Sequence, residues 1–168
     1  MAQSWAARPR QTLLDGHFKH MKPIEVFTEI SINAPADAIW PYLVDWENLG
    51  DWMEEASDFL VTSNHREGVG VTAEATVKIG GIKTRDAIRV ATWEPPRLLV
   101  IEHLSWVKGS GRLSSIREGG GSLLTWKETL VPPLGIAGAL GMRLFKPLMR
   151  RIFQRDLETL KRLVEEPR

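Results

Sequence analysis

From residue 24 to residue 32 apolar and polar positions alternate, with Ile24, Val26, Ile30 and Ile32 on one side. A period of two predicts a half-buried strand. Pro35 follows at a point where a missing backbone N–H costs nothing, and residues 35–52 read as two short helices. Trp40 and Leu43 give the first an apolar face, Pro41 should kink or shorten it, and the second closes on Trp52. Six strand-like runs come next, at 59–64, 69–79, 82–93, 98–107, 112–118 and 122–131. The turns between them fall at 65–68, 80–81, 94–97, 108–111 and 119–121, and such short gaps predict antiparallel neighbours. After Pro132-Pro133 the period lengthens. Leu140, Leu144, Leu148 and Ile152 recur every four residues, and Leu160 and Val164 continue that general face. The pattern predicts a helix that starts between Leu134 and Gly141, bends at Pro147 and ends near Glu166.

One register can be derived from the pattern. Val69, Val71, Ala73, Ala75, Val77 and Ile79 are apolar, and Thr72, Glu74, Thr76 and Lys78 between them are polar. A two-residue Gly80-Gly81 turn sets Ile79 opposite Ile82 on the same face. The inner face of the next strand is then Ile82, Thr84, Asp86, Ile88, Val90 and Thr92, with Trp93 facing outward. Asp86 points inward opposite the small Ala75, a lone carboxylate on an apolar face. Burial without a cationic partner would favour its neutral form. A turn one residue longer would reverse every assignment, and a wet rim with an arginine partner would make Asp86 structural.

Composition narrows the class. The chain has 168 residues, 43% apolar and 26% charged, with a net charge of +1. That suits one globular domain with a real core and gives no global field for nucleic acid. The absence of cysteine excludes disulfides and thiolate chemistry and fits a cytoplasmic setting. No apolar run is long enough to span a membrane. Residues 1–23 read as a tail that is disordered or loosely docked through Trp5, Leu13, Leu14 and Phe18, and residues 24–168 read as a single domain.

Candidate chemistry is sparse. Dinucleotide, Walker, zincin and nucleophile-elbow motifs are absent, so neither a metal nor a cofactor is expected. His17 and His20 share a helical spacing but lie in the tail. His65 falls in a turn. His103 and Glu102 occupy opposite faces of one strand, and His103 is a candidate general base. Neither Glu102 nor Glu128 can be assigned a face from the pattern. Trp106 and Trp126 are candidate walls for a ring-bearing ligand. The first half of the last helix combines Arg143, Lys146, Arg150 and Arg151 with Met142, Phe145, Met149 and Phe153, which reads as a core helix with a solvated basic face or as a membrane-surface element.

Ala34-Pro35, Ile39-Trp40-Pro41, Asp45, Trp52, Gly68-Val69-Gly70, Pro95-Pro96, Thr125-Trp126-Lys127 and Leu157…Leu160-Lys161…Leu163 follow in an order that resembles the START-like (SRPBCC) superfamily, in its polyketide cyclase/dehydrase and coenzyme Q-binding-like branch. The resemblance spans residues 24–166. It implies an α+β helix-grip fold, β-αα-β6-α, in which a curved antiparallel sheet wraps a long C-terminal helix. It also implies binding or transport of a hydrophobic small molecule (lipid, quinone or polyketide-like) in an internal cavity. A cyclase, dehydratase or hydrolase is the alternative, with Asp86, His103 and Glu102 as weak catalytic candidates, and an interaction module with a vestigial cavity is a third. The cavity is expected to be several hundred Å³. Its expected lining is Val71, Ala73, Ala75, Val77, Asp86, Ile88, Val90, Trp106, Trp126, Leu144, Leu148 and Ile152. The implied partners are that ligand and a transient membrane surface, with no nucleic acid.

Overall fold

The structure, a computed structural model, describes residues 22–166. Seven strands form one antiparallel sheet: β1 (Ile24–Ile32), β2 (Ala56–Val61), β3 (Thr72–Ile79), β4 (Ile82–Glu94), β5 (Leu98–His103), β6 (Lys108–Glu118) and β7 (Gly121–Val131). The order across the sheet is β1-β7-β6-β5-β4-β3-β2. Consecutive strands are neighbours except where β1 pairs with β7, so the first and last strands meet and the turns alone dictate most of the topology. Helix α1 (Ala36–Val44) and a short 3-10 helix (Trp46–Asp51) join β1 to β2, and α2 (Gly135–Glu165) follows β7 and packs along β1. The sheet is curved and α2 lies in its grip, the helix-grip α+β arrangement.

The core sits between α2, the α1 region and the concave face of the sheet. Met149, Phe153, Leu157 and Leu160 of α2 meet Trp46, Leu49 and Trp52 from the connector and Val26, Leu124 and Trp126 from the strands. Trp126 stacks on Phe153 at 4.5 Å between ring centroids and meets Trp52 edge-on at 5.9 Å. Trp52 and Trp46 spend their ring N–H on the carbonyls of Tyr42 and Arg66, so neither buries an idle donor. Full burial of an apolar side chain of this kind stabilises by roughly 1.5–3 kcal/mol.

The Gly80-Gly81 register holds: Ile79 pairs with Ile82, Val77 with Thr84 and Ala75 with Asp86. Both glycines have positive φ, as a tight primed turn demands. Further along β4 the register shifts between Val90 and Thr92, where a bulge intervenes. That extra residue turns Trp93 inward, opposite Leu99, and it meets Trp40 edge-on at 5.3 Å. Trp93 is therefore not outward, and Thr92 leaves the inner face.

Boundaries of four strands differ from the pattern. β2 begins three residues early, at Ala56, and is irregular because Asp58 adopts a left-handed backbone. β3 begins at Thr72. β5 stops at His103 and β6 begins at Lys108, so residues 104–107 form the turn and the segment 108–111 is strand. The two prolines inside helices, Pro41 and Pro147, do not break them.

The buried side of α2 also differs. It is Met149, Phe153, Asp156, Leu157 and Leu160, whereas Leu140 and Leu144 stand in solvent. A strict four-residue repeat drifts by about 40° per step on a helix of 3.6 residues per turn. A stripe that faces the sheet at Leu160 has therefore rotated away by Leu144.

Candidate functional site

Three titratable side chains lie in a line across the concave face. Asp86 comes from β4, His103 from β5 and Glu128 from β7. His103 Nδ1 is 2.6 Å from Asp86 Oδ2, and its Nε2 is 3.1 Å from Glu128 Oε2. The other oxygen of Glu128 accepts the Trp126 ring N–H at 2.7 Å. Both imidazole nitrogens thus face carboxylates, which demands a proton on each. Burial alone would lower the His103 pKa, but hydrogen bonds and charge from Asp86 and Glu128 outweigh it and raise the pKa to about 10. The group is an imidazolium at neutral pH.

The strand between His103 and Glu128 makes the line possible. His103 pairs with Gly109 of β6, and Glu128 pairs with Gly111. Two strands apart means roughly 10 Å of backbone separation. A Cβ on Gly111 would sit 2.4 Å from Glu128 Oε1 and 3.1 Å from Ile101 Cγ1. The bare strip along β6 is what lets the Glu128 carboxylate lie across it to reach the histidine. The Lys108-Gly109-Ser110-Gly111 segment looks like a turn in sequence, yet it is strand, and Gly111 leaves a gap for the Glu128 and Ile101 side chains of its two neighbours.

Asp86 is the open end of the line. Only Oδ2 is engaged, no other bond reaches Oδ1 among the described residues, and the side chain is 16% exposed. Glu128, with both oxygens engaged and 5% exposed, is the anchored end. A carboxylate with one oxygen fixed by an imidazolium and the other free suits proton abstraction. His103 itself has no free nitrogen, since each one is taken by a carboxylate. The partner of Asp86 is thus the His103 imidazolium, so Asp86 is not the unpartnered carboxylate that the sequence left open.

Glu102 faces away from the site and pairs with Arg89 at 2.6 Å on the outer surface. Trp106 lies in the β5–β6 turn and is exposed, so it does not wall the interior; Leu144 is exposed as well. Trp126 is buried beside Glu128, and Val71, Ala73, Ala75, Ile88 and Val90 are buried on the inner face. Val71 and Ala73 belong to the core cluster with Trp46 and Trp52, which covers that end of the sheet. Val77 and Ile152 are half-buried toward the Gly80 end, and Leu148 is exposed, although it and Phe145 approach Gly80. The two described concavities are at the surface: about 570 Å³ on the outer side of α2 and about 230 Å³ beside Ser31 and Gly121. His65 is exposed in its loop, and His17 and His20 lie outside the described residues. Among the described residues no three such side chains converge on a point that could hold a metal ion.

A second acidic pair went unrecognised in the sequence. Glu55 follows the 3-10 helix, and Asp156 lies on the buried side of α2. Glu55 Oε2 and Asp156 Oδ2 are buried without another partner, while Asp156 Oδ1 accepts the Glu54 N–H at 3.2 Å. Burial first, then the hydrogen bond and charge of Asp156, push the Glu55 pKa up to about 9, and burial also raises that of Asp156. A proton shared between the two carboxyls satisfies both orphan oxygens. Glu54 and Arg155 form an ion pair over the same junction. The pair clasps the connector to α2.

A curved antiparallel sheet gripping a helix, with a polar line on its concave face, defines a START-like helix-grip protein. Residues 23–165 match the family model described as polyketide cyclase/dehydrase and lipid transport, and the chain belongs to that family. Similar solved structures share the fold at low identity. A Thermus thermophilus protein matches with a TM-score of 0.72 and 22% identity, covering 84% of this chain and 97% of that one. An aromatase/cyclase from Streptomyces gives 0.71 and 18%, covering 85% and 94%. A START superfamily protein from Mycobacterium smegmatis gives 0.62 and 18%, covering 84% and 94%. No curated protein matches. The family points to hydrophobic ligand binding or a cyclase role. Among the described residues no helix is long and apolar enough to cross a membrane.

Proposed function

We propose that the chain binds a hydrophobic, carbonyl-bearing molecule between the first half of α2 and the Gly80 end of the sheet, and that Asp86 moves a proton on it. The observation that carries this is the fixed line from Asp86 through His103 to Glu128, with Asp86 Oδ1 free on an otherwise apolar face. Burying an imidazolium and two carboxylates costs more than an apolar patch of the same size. Such an expense at the open end of a ligand-binding fold supports chemistry over passive carriage.

The chemistry that fits is cyclisation through an enolate. Asp86 takes a C–H proton beside a carbonyl, and the enolate carbon attacks a second carbonyl to form the ring C–C bond. The proton on Asp86 then passes to the new alkoxide. Dehydration repeats the exchange: a second C–H proton goes to the departing hydroxyl, which leaves as water. His103 holds Asp86 in place throughout, and Glu128 holds His103. Carriage without reaction is the alternative, favoured by the exposed apolar side chains at the start of α2.

Native mass spectrometry of protein purified from its own host separates the two. Wild type and Asp86→Asn should both retain a lipophile, with the ligand of Asp86→Asn heavier by one water. The same ligand mass in both supports carriage and ends the catalytic reading. No co-purifying ligand in either ends both.

A further inference from the structure

The first half of α2 presents an apolar face to solvent that the fold does not use. Leu134 and Ile136 are each 74% exposed, Leu140 is 60% and Leu144 is 73%. Ile136, Leu140 and Leu144 are four apart and lie on one side of the helix. Leu134 opens the helix with φ 59, a left-handed conformation that costs a leucine roughly 1–2 kcal/mol. Neither burial nor backbone preference explains a leucine there. Trp106, 60% exposed in the β5–β6 turn, stands at the same end of the sheet, because Lys108 at the start of β6 pairs with Val131 at the end of β7 just before α2.

Charge identifies what covers this face. No acidic residue occurs between Glu128 and Asp156, and Arg143, Lys146, Arg150, Arg151 and Arg155 fall in that interval. Past Leu144 the same outward side runs into the groove of about 570 Å³ lined by Pro147, Arg150, Arg151, Gln154, Arg155 and Glu158. Arg151 follows Leu144 by seven residues, about 10 Å along the axis. The apolar members of this face differ from Met149 and Phe153, which are buried.

We infer that the start of α2 and the β5–β6 turn dock on an anionic membrane surface. Leu134, Ile136, Leu140, Leu144 and Trp106 enter the acyl boundary, and the Arg150–Arg151 groove meets lipid phosphate. A second copy of this chain would bring the same cluster of cations against itself and is disfavoured by charge. Residues 1–20 carry Arg8, Arg10 and Lys19 against one acid, Asp15, and so match the surface no better. The docked end is the Gly80 end, where the proposed ligand site lies, so loading from a bilayer would be direct.

Co-sedimentation of the full chain with phosphatidylcholine vesicles, with and without phosphatidylserine, tests this. Binding should rise with phosphatidylserine, fall with salt, and drop about fivefold for each basic residue removed in Arg150→Gln and Arg151→Gln. Leu140→Ser with Leu144→Ser should abolish it, with circular dichroism unchanged because both side chains are mostly exposed. Brominated lipid should quench wild-type fluorescence more than that of Trp106→Phe. Equal recovery from neutral and anionic vesicles overturns the inference. So does a concentration-dependent dimer that Leu140→Ser and Leu144→Ser dissolve without any vesicle binding. These outcomes are independent of Asp86→Asn, so failure here leaves the ligand site standing.

Discussion

Glu128→Leu should cost about 3 kcal/mol of folding stability at neutral pH, the low end of what breaking a buried ion pair costs. The carboxylate is buried and both its oxygens are used, one by His103 and one by the Trp126 ring N–H. Leucine supplies no acceptor, so the indole N–H loses its partner in the core. His103 keeps Asp86 but loses the other group that holds its proton. With burial now opposed by one carboxylate instead of two, its pKa should fall from about 10 toward the ordinary histidine range. Urea unfolding reads the first effect, and NMR titration of the imidazole reads the second. A loss under about 1 kcal/mol with an unmoved His103 would mean that the Glu128 contact contributes nothing.

Stability should fall steadily as pH rises from 6.5 toward 9, against the usual plateau in that interval. Glu55 has a folded pKa of about 9 against 4.5 when unfolded, and His103 about 10 against 6.5. Both are raised, so the native state binds protons that the unfolded chain has released. The stability each contributes is complete below its unfolded pKa and is lost as pH rises through the folded one. Each such proton is worth up to roughly 1.4 kcal/mol per pH unit, so a loss of several kcal/mol across the interval is expected. Glu54, Arg155 and Asp156 face Glu55 at the α2 junction, and Glu128 adds a weaker repulsion that also favours its neutral form. Glu55→Gln keeps a neutral donor toward Asp156 and should flatten the slope by the share belonging to this pair. Thermal melts across the range check both; a wild-type melting temperature that is flat or rises with pH contradicts the buried acid.

The residues that were legible in sequence are those whose partners are local. The Gly80-Gly81 turn set the β3–β4 register, and the register set Asp86 on the inner face opposite Ala75. The alternation of β1 and the four-residue recurrence of α2 announced their elements. The rest depended on distant pairs. Trp93 turned inward through a bulge that no composition marks, since Ala91 is an ordinary strand residue. Glu128 could not be given a face until β6 and β7 were aligned, and Gly111, which opens its path, sits in a segment that resembled a turn. Glu55 and Asp156 stand a hundred residues apart, and only the packing of α2 on the connector makes them one acid. Leu140 and Leu144 looked like core because apolar period does not say whether a sheet lies beneath it. What sequence withheld here was the third dimension of the site, while its central carboxylate and its histidine were both visible.

The central claim is that a hydrophobic ligand lies on the concave face beside Asp86. An NMR titration of the full chain with naphthol tests it most directly, because it reports where the probe sits as well as whether it binds. Saturable shift changes at Ala75, Asp86, Ile88, His103 and Ile152, absent from Ala75→Trp, are the predicted result. Changes confined to Ile136, Leu140 and Leu144, or no saturable change at all, would contradict the account.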